Sequence, residues 1–173
     1  MHDARGNTVL GEWLQGTHNF YMTKRKVIAA LKKARENYEV ERVYYVWLQG
    51  ESDALIATGK DEYKQRLICY KNQLKKAFGI DRFGIIRVGY FVSQVGWLND
   101  QRTYEERVFC DEQIMNAQEE LPAQDNDFVL LTRSLAKMSL QKEYINPKAD
   151  GHYTNAALDI IGKEAGEALA KIK

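Results

Sequence analysis

Three short apolar runs, widely separated by amphipathic stretches, constrain this chain more than any other feature. They fall at residues 42–48 (around Val43-Tyr44-Tyr45-Val46), 83–91 and 128–132. Each is rich in β-branched and aromatic residues. The connections between them exceed a dozen residues and carry helical periodicity. That pattern calls for parallel strands joined by helical crossovers, an α/β architecture. The second run, Phe83-Gly84-Ile85-Ile86-Arg87-Val88-Gly89-Tyr90-Phe91, is almost continuously apolar and suits a strand covered on both faces.

The helical stretches are readable in outline. Val27, Leu31, Ala34 and Tyr38 recur at helical spacing and predict a helix over 24–38. Residues 1–22, with Gly6, Gly11 and Gly16, read as loop with at most one short turn. Thr58, with Asp61 three residues on, is the expected cap of a helix whose stripe is Tyr63, Leu67, Tyr70, Leu74 and Phe78, stopped by Gly79. Residues 92–102 read as a loop. Thr103 and Glu106 form a capping-box pattern for a helix to about Leu121, closed by Pro122. Residues 133–153 read as irregular, and a last helix is expected over 154–172. Three strands are few for this much helix. No repeat or linker interrupts the 173 residues, which read as one domain, 1–173.

Composition excludes several classes. A formal net charge of +1 gives no bulk attraction to nucleic acid or anionic membrane. No segment approaches the roughly 20 apolar residues of a membrane span. The start, Met1-His2-Asp3-Ala4-Arg5-Gly6, has no apolar signal core. Cys69 and Cys110 both fall in helical patterns, so two free thiols and a reducing, cytoplasmic setting are expected. His2, His18 and His152 lack ligand spacing, so no metal site and no cofactor are expected.

Chemistry gathers at two places. The first is Trp47-Leu48-Gln49-Gly50-Glu51-Ser52-Asp53-Ala54, directly after the first strand-like run. Ligands in open α/β sheets bind at such strand ends. The second is Asp150-Gly151-His152-Tyr153-Thr154, just before the last helix. An ester hydrolase needs a nucleophile, a histidine base, an acid that orients it, and oxyanion donors. His152 suits the base, Glu51 or Asp150 the acid, and the Gln49 amide with Gly50 the oxyanion donors. Ser52, in Gly50-Glu51-Ser52-Asp53-Ala54, approximates a nucleophile elbow, but an elbow should enter a helix at once and Ala57-Thr58-Gly59 intervenes. Each residue also has a plainer reading: Ser52 as a loop hydroxyl, Glu51 and Asp53 as a turn pair, His152 as a surface residue. Tyr90, Phe91 and Trp97, at and beyond the second run, could stack on a sugar or simply pack.

These two blocks, WLQGESDA and GHYTNAALDIIGKEAG, resemble the SGNH hydrolase superfamily, and most closely its sialate O-acetylesterase and carbohydrate esterase family 6 (acetylxylan esterase-like) branch. The resemblance covers about residues 24–173. It implies a flavodoxin-like α/β/α sandwich with a parallel sheet and metal-free deacetylation of sugars by a serine nucleophile. It assigns the oxyanion donor to Gln49, the acid of the strand-end block to Glu51, and the base to His152. Two departures stand out. The family's nucleophile block, Gly-Asp-Ser or Gly-Gln-Ser-Asn, does not occur before Trp47. Many members carry aspartate three residues before the histidine, where this chain has Ala149, with Asp150 two before. The resemblance therefore implies the C-terminal part of an esterase for acetylated carbohydrate or another small ester. The first strand and its serine would come from an N-terminal fragment or partner chain. The alternatives are an inactive glycan- or protein-binding module and a site built on Ser52.

Overall fold

The structure is a computed structural model that describes residues 4–172. His2 lies outside the described residues. Three parallel strands, β1 (Tyr44–Trp47), β2 (Arg82–Ile86) and β3 (Phe128–Thr132), lie side by side in that order. Tyr45 pairs with Phe83 and Phe83 with Phe128. The helices are α1 (His18–Arg35), α2 (Glu51–Leu55), α3 (Lys60–Phe78), α4 (Tyr104–Gln124), α5 (Ser134–Met138) and α6 (Asn155–Ala170).

Two apolar clusters cover the two faces of the sheet. Alternate strand residues, Trp47, Phe83, Ile85 and Phe128, point to one face. There they meet Tyr63, Leu67, Tyr70 and Leu74 of α3, Ile114 and Leu121 of α4, and Phe20 of α1. Ile86 and Leu131 point the other way, onto Ala157, Ile161 and Ala165 of α6 and Leu135 and Met138 of α5. This is the expected sandwich, a parallel sheet with helices on both faces. β1 pairs with β2 alone among the described residues, and Val46 on its α6-side face is 42% exposed.

Several boundaries differ from expectation. The first helix begins at His18 rather than 24, because the Thr17 side chain accepts the Phe20 N–H and caps it. A 3-10 turn, Leu10–Trp13, precedes it and is buried at Leu10 and Trp13. Thr58 does not cap the second long helix: Gly59 holds that position, and the Thr58 hydroxyl donates instead to buried Asp53. Pro122 sits inside the last turn of α4, which runs on to Gln124 rather than closing at the proline. The stretch 133–153 contains α5, a 3-10 turn at Lys142–Tyr144 and an antiparallel bridge between Ile145 and Tyr153.

The second strand ends at Ile86, five residues before the apolar run does. Arg87 N–H still donates to the Thr132 backbone oxygen at 3.1 Å, and from Val88 on backbone donors pass to buried side chains. Val88 N–H donates to Gln118 Oε1 (2.9 Å) and Tyr90 N–H to Ser139 Oγ (3.0 Å). The N–H groups of Phe91, Val92 and Ser93 converge on Asp111 at 3.1, 2.9 and 3.0 Å. Every one is satisfied off the ladder, so burial is retained without a strand.

Candidate functional site

The carboxyl ends of the strands carry the site. Leu48-Gln49-Gly50 leads from β1 straight into α2, whose first residues are Glu51 and Ser52. The helix therefore starts immediately after the strand, contrary to the expected interruption by Ala57-Thr58-Gly59. Gly50 is required by close approach: a Cβ there would lie 2.6 Å from Ile114 Cγ2.

Gln49 is buried and tightly bonded. Its Nε2 donates to Thr8 O (2.9 Å) and to Asp53 Oδ2 (2.6 Å). Its backbone oxygen accepts from Tyr63 Oη and from Gln118 Nε2, both at 2.8 Å. Asp53 is fully buried and also accepts from Leu10 N–H (2.7 Å) and Thr58 Oγ1 (3.3 Å). Burial raises its carboxyl above the ordinary aspartate value, opposed by these hydrogen bonds. Asp53 thus fastens the N-terminal turn to the strand-end motif.

Glu51 is the electrostatic centre. Burial of its carboxyl raises it above the usual glutamate value. The N–H groups of Glu51 and Gly50 pull it down, Asp111 pushes it up, and His152 pulls it down. His152, about a hundred positions on, thus lies close enough to act on the Glu51 carboxyl. Tyr153 joins them: burial raises its phenol, and the Glu51 charge raises it further. Its hydroxyl lies where a Cβ on Gly89 would approach to 2.7 Å.

His152 is exposed, on a loop turned by Gly151 at a left-handed φ of +79°. Its Nδ1 lies 3.3 Å from the backbone oxygen of Asp150. If Nδ1 carries the proton, Nε2 is left as the free base. The Asp150 carboxylate turns away and accepts the Gly96 N–H at 2.8 Å. No hydrogen bond joins His152 or Ser52 to another side chain among the described residues. Cys69 and Cys110 are free thiols, exposed and buried respectively. Among the described residues no cluster of three metal-ligating side chains occurs, and no helix is long and apolar enough to cross a membrane.

Sequence reasoning missed Asp111, Gln118 and Tyr153. A signal was there for two of them: Asp111 and Gln118 occupy apolar-stripe positions with Ile114 and Leu121, where a polar residue has to be buried and bonded.

The strand-end motif and the histidine loop thus meet at one end of a parallel sheet, as an esterase site requires. A family model described as carbohydrate esterase, sialic acid-specific acetylesterase, matches residues 1–167, beginning upstream of the stretch that carries the sequence resemblance. No curated protein and no solved structure gives a significant match. With a parallel three-stranded α/β fold and a family match over nearly its whole length, the chain belongs to the carbohydrate esterases of the sialic acid-specific acetylesterase family.

Proposed function

We propose that this chain carries the base and acid of a serine-type carbohydrate O-acetylesterase of the SGNH kind, in the branch that includes acetylxylan esterase-like enzymes. The observation that carries the reading is the convergence of the strand-end motif, with Glu51 opening α2 directly after β1, and the His152 loop, which lies close enough to act on the Glu51 carboxyl. His152 Nε2 takes the proton of a serine hydroxyl as its oxygen bonds the acetyl carbon. The tetrahedral oxyanion is met by the Gly50 N–H, which must first leave the Glu51 carboxylate, and by the Gln49 amide, whose hydrogens must first leave Thr8 and Asp53. The sugar oxygen leaves with the proton from His152, and water then releases acetate by the reverse relay. Glu51 stabilises the imidazolium through its charge, and the Asp150 backbone oxygen fixes the ring. The serine comes from an N-terminal fragment or partner chain that seats beside β1. The two free thiols fit a reducing, cytoplasmic setting.

Two rival readings have observations of their own. The committed Gln49 donors favour a binding module without turnover. The direct entry of β1 into α2 favours Ser52 as nucleophile. Acetate release from an acetylated sugar, and p-nitrophenyl acetate turnover, by the full gene product decide among them. His152→Ala is expected to lower kcat/KM on the order of 100-fold; an unchanged rate overturns the proposal. Loss of turnover in Ser52→Ala, with activity in this chain alone, would hand the nucleophile to Ser52.

A further inference from the structure

The three tryptophans divide sharply. Trp13 and Trp47 are 3% and 5% exposed and lie in the core, edge to face at 5.3 Å. Trp97 is 56% exposed. A large indole left in water forgoes the stabilisation that burial of its apolar surface would bring. A flexible loop tip would explain that exposure, but this loop is held at several points.

Gln94 and Val95 N–H both donate to Phe91 O at 3.0 Å, closing a turn. Gly96 N–H donates to the Asp150 carboxylate at 2.8 Å. The Trp97 ring sits against Phe91, with centroids 6.3 Å apart at 64°. The Leu98 carbonyl accepts from Arg107 (3.2 Å). Phe91 in turn underlies the histidine loop: a Cβ on Gly151 would meet its Cε2 at 2.4 Å and Val95 Cγ1 at 2.7 Å. Gly151 precedes His152, so the indole is tied to the base through one glycine, one phenylalanine and one carboxylate.

An exposed, immobilised aromatic ring beside an esterase base has a specific use. A pyranose ring presents a flat patch of C–H groups on one face and hydroxyls at its rim. It stacks on an aromatic plane while its hydroxyls stay hydrated, so it suits a platform that is half open to water. We propose that Trp97 is the stacking platform for the sugar ring of the substrate, and that Asp150 is the positioning residue that holds this platform in register with His152. This rests on the carbohydrate esterase reading above and adds where the sugar, as distinct from the ester, is held.

The test uses the protein as it stands and sugars that carry no ester, so that it does not depend on turnover. Because Trp13 and Trp47 are buried, acrylamide-quenchable fluorescence comes from Trp97. Sialic acid and xylose are titrated separately, one an acidic and one a neutral pyranose. Protection of the fluorescence by either supports the platform and tells which sugar class it takes. No protection by either up to the solubility limit overturns it. Saturation-transfer NMR on the same sugars follows the variants. Trp97→Ala should lose the transfer and Trp97→Phe should keep it. Asp150→Ala should expose Trp97 to acrylamide and weaken transfer, and Asp150→Asn, which keeps an acceptor oxygen for Gly96, should restore both. On acetylated sugar, Trp97→Ala should raise KM about tenfold with a smaller change in kcat. Unaltered KM and transfer in that variant sink the proposal. Sugar binding without ester turnover would instead sink the esterase reading and leave the platform standing.

Discussion

Glu51 and Asp53 are two residues apart, and both have raised carboxyls, yet their surroundings differ. Asp53 has three hydrogen-bond donors on a buried carboxylate. Removing it strands the Leu10 N–H, the Gln49 amide and the Thr58 hydroxyl, so Asp53→Ala is expected to cost about 3 kcal/mol, read as a fall in thermal midpoint. Glu51 has mainly backbone N–H groups and the field of His152 against its desolvation. Its folded-state value is raised, so the folded chain holds that proton more tightly than the unfolded one. Raising the pH through the ordinary glutamate range therefore costs stability, and this cost disappears as pH falls below that range. Glu51→Gln should raise stability by about 1 kcal/mol, ~3 °C in Tm, at neutral pH and by nothing in acid, while esterase turnover falls. A loss of stability at neutral pH would mean that the carboxylate is held by more than it sheds.

At the scale of elements, the segment after β2 matters most. Its N–H groups are distributed over Gln118 and Asp111 of α4 and over Ser139 just past α5, which draws both elements against the strand end. Gly89 lies within this segment, where a Cβ would stand 2.3 Å from the Leu135 backbone oxygen. Gly89→Ala should therefore cost about 3 kcal/mol and displace Tyr153 from Glu51, with unfolding and turnover measured together. A fully active, equally stable variant would show that α5 yields easily. The capping box of α4 was legible because Thr103 and Glu106 act locally, and it forms as read. The early end of β2 was not legible, because its cause lies in side chains about 20 to 50 residues downstream.

For the whole molecule, the sheet is covered unevenly. One face is filled by α1, α3 and α4, the other by α6 and α5, and among the described residues β1 is paired on one edge alone, with Val46 exposed. An unpaired strand edge with apolar neighbours recruits other chains. Val46→Lys is expected to lower concentration-dependent association in light scattering while shifting stability by no more than about 0.5 kcal/mol. Association that persists unchanged would move the contact elsewhere.

The amino-acid sequence by itself determined what depends on neighbours along the chain. Alternating and continuous apolar runs specified three strands, the period of the stripes specified α3, α4 and α6, and Gly79 in its left-handed conformation specified a helix end. It also displayed Glu51 and His152 as candidates for chemistry in two separate blocks. Tertiary structure alone decided which groups meet. It gave the Asp150 carboxylate to Gly96 rather than to His152, tied the Gln49 amide to Asp53, and set an exposed Trp97 against Phe91 under the histidine loop. The reason is physical: periodicity reports which face of an element is buried, whereas hydrogen-bond partners and electrostatic fields depend on distances between residues that only the folded chain brings together.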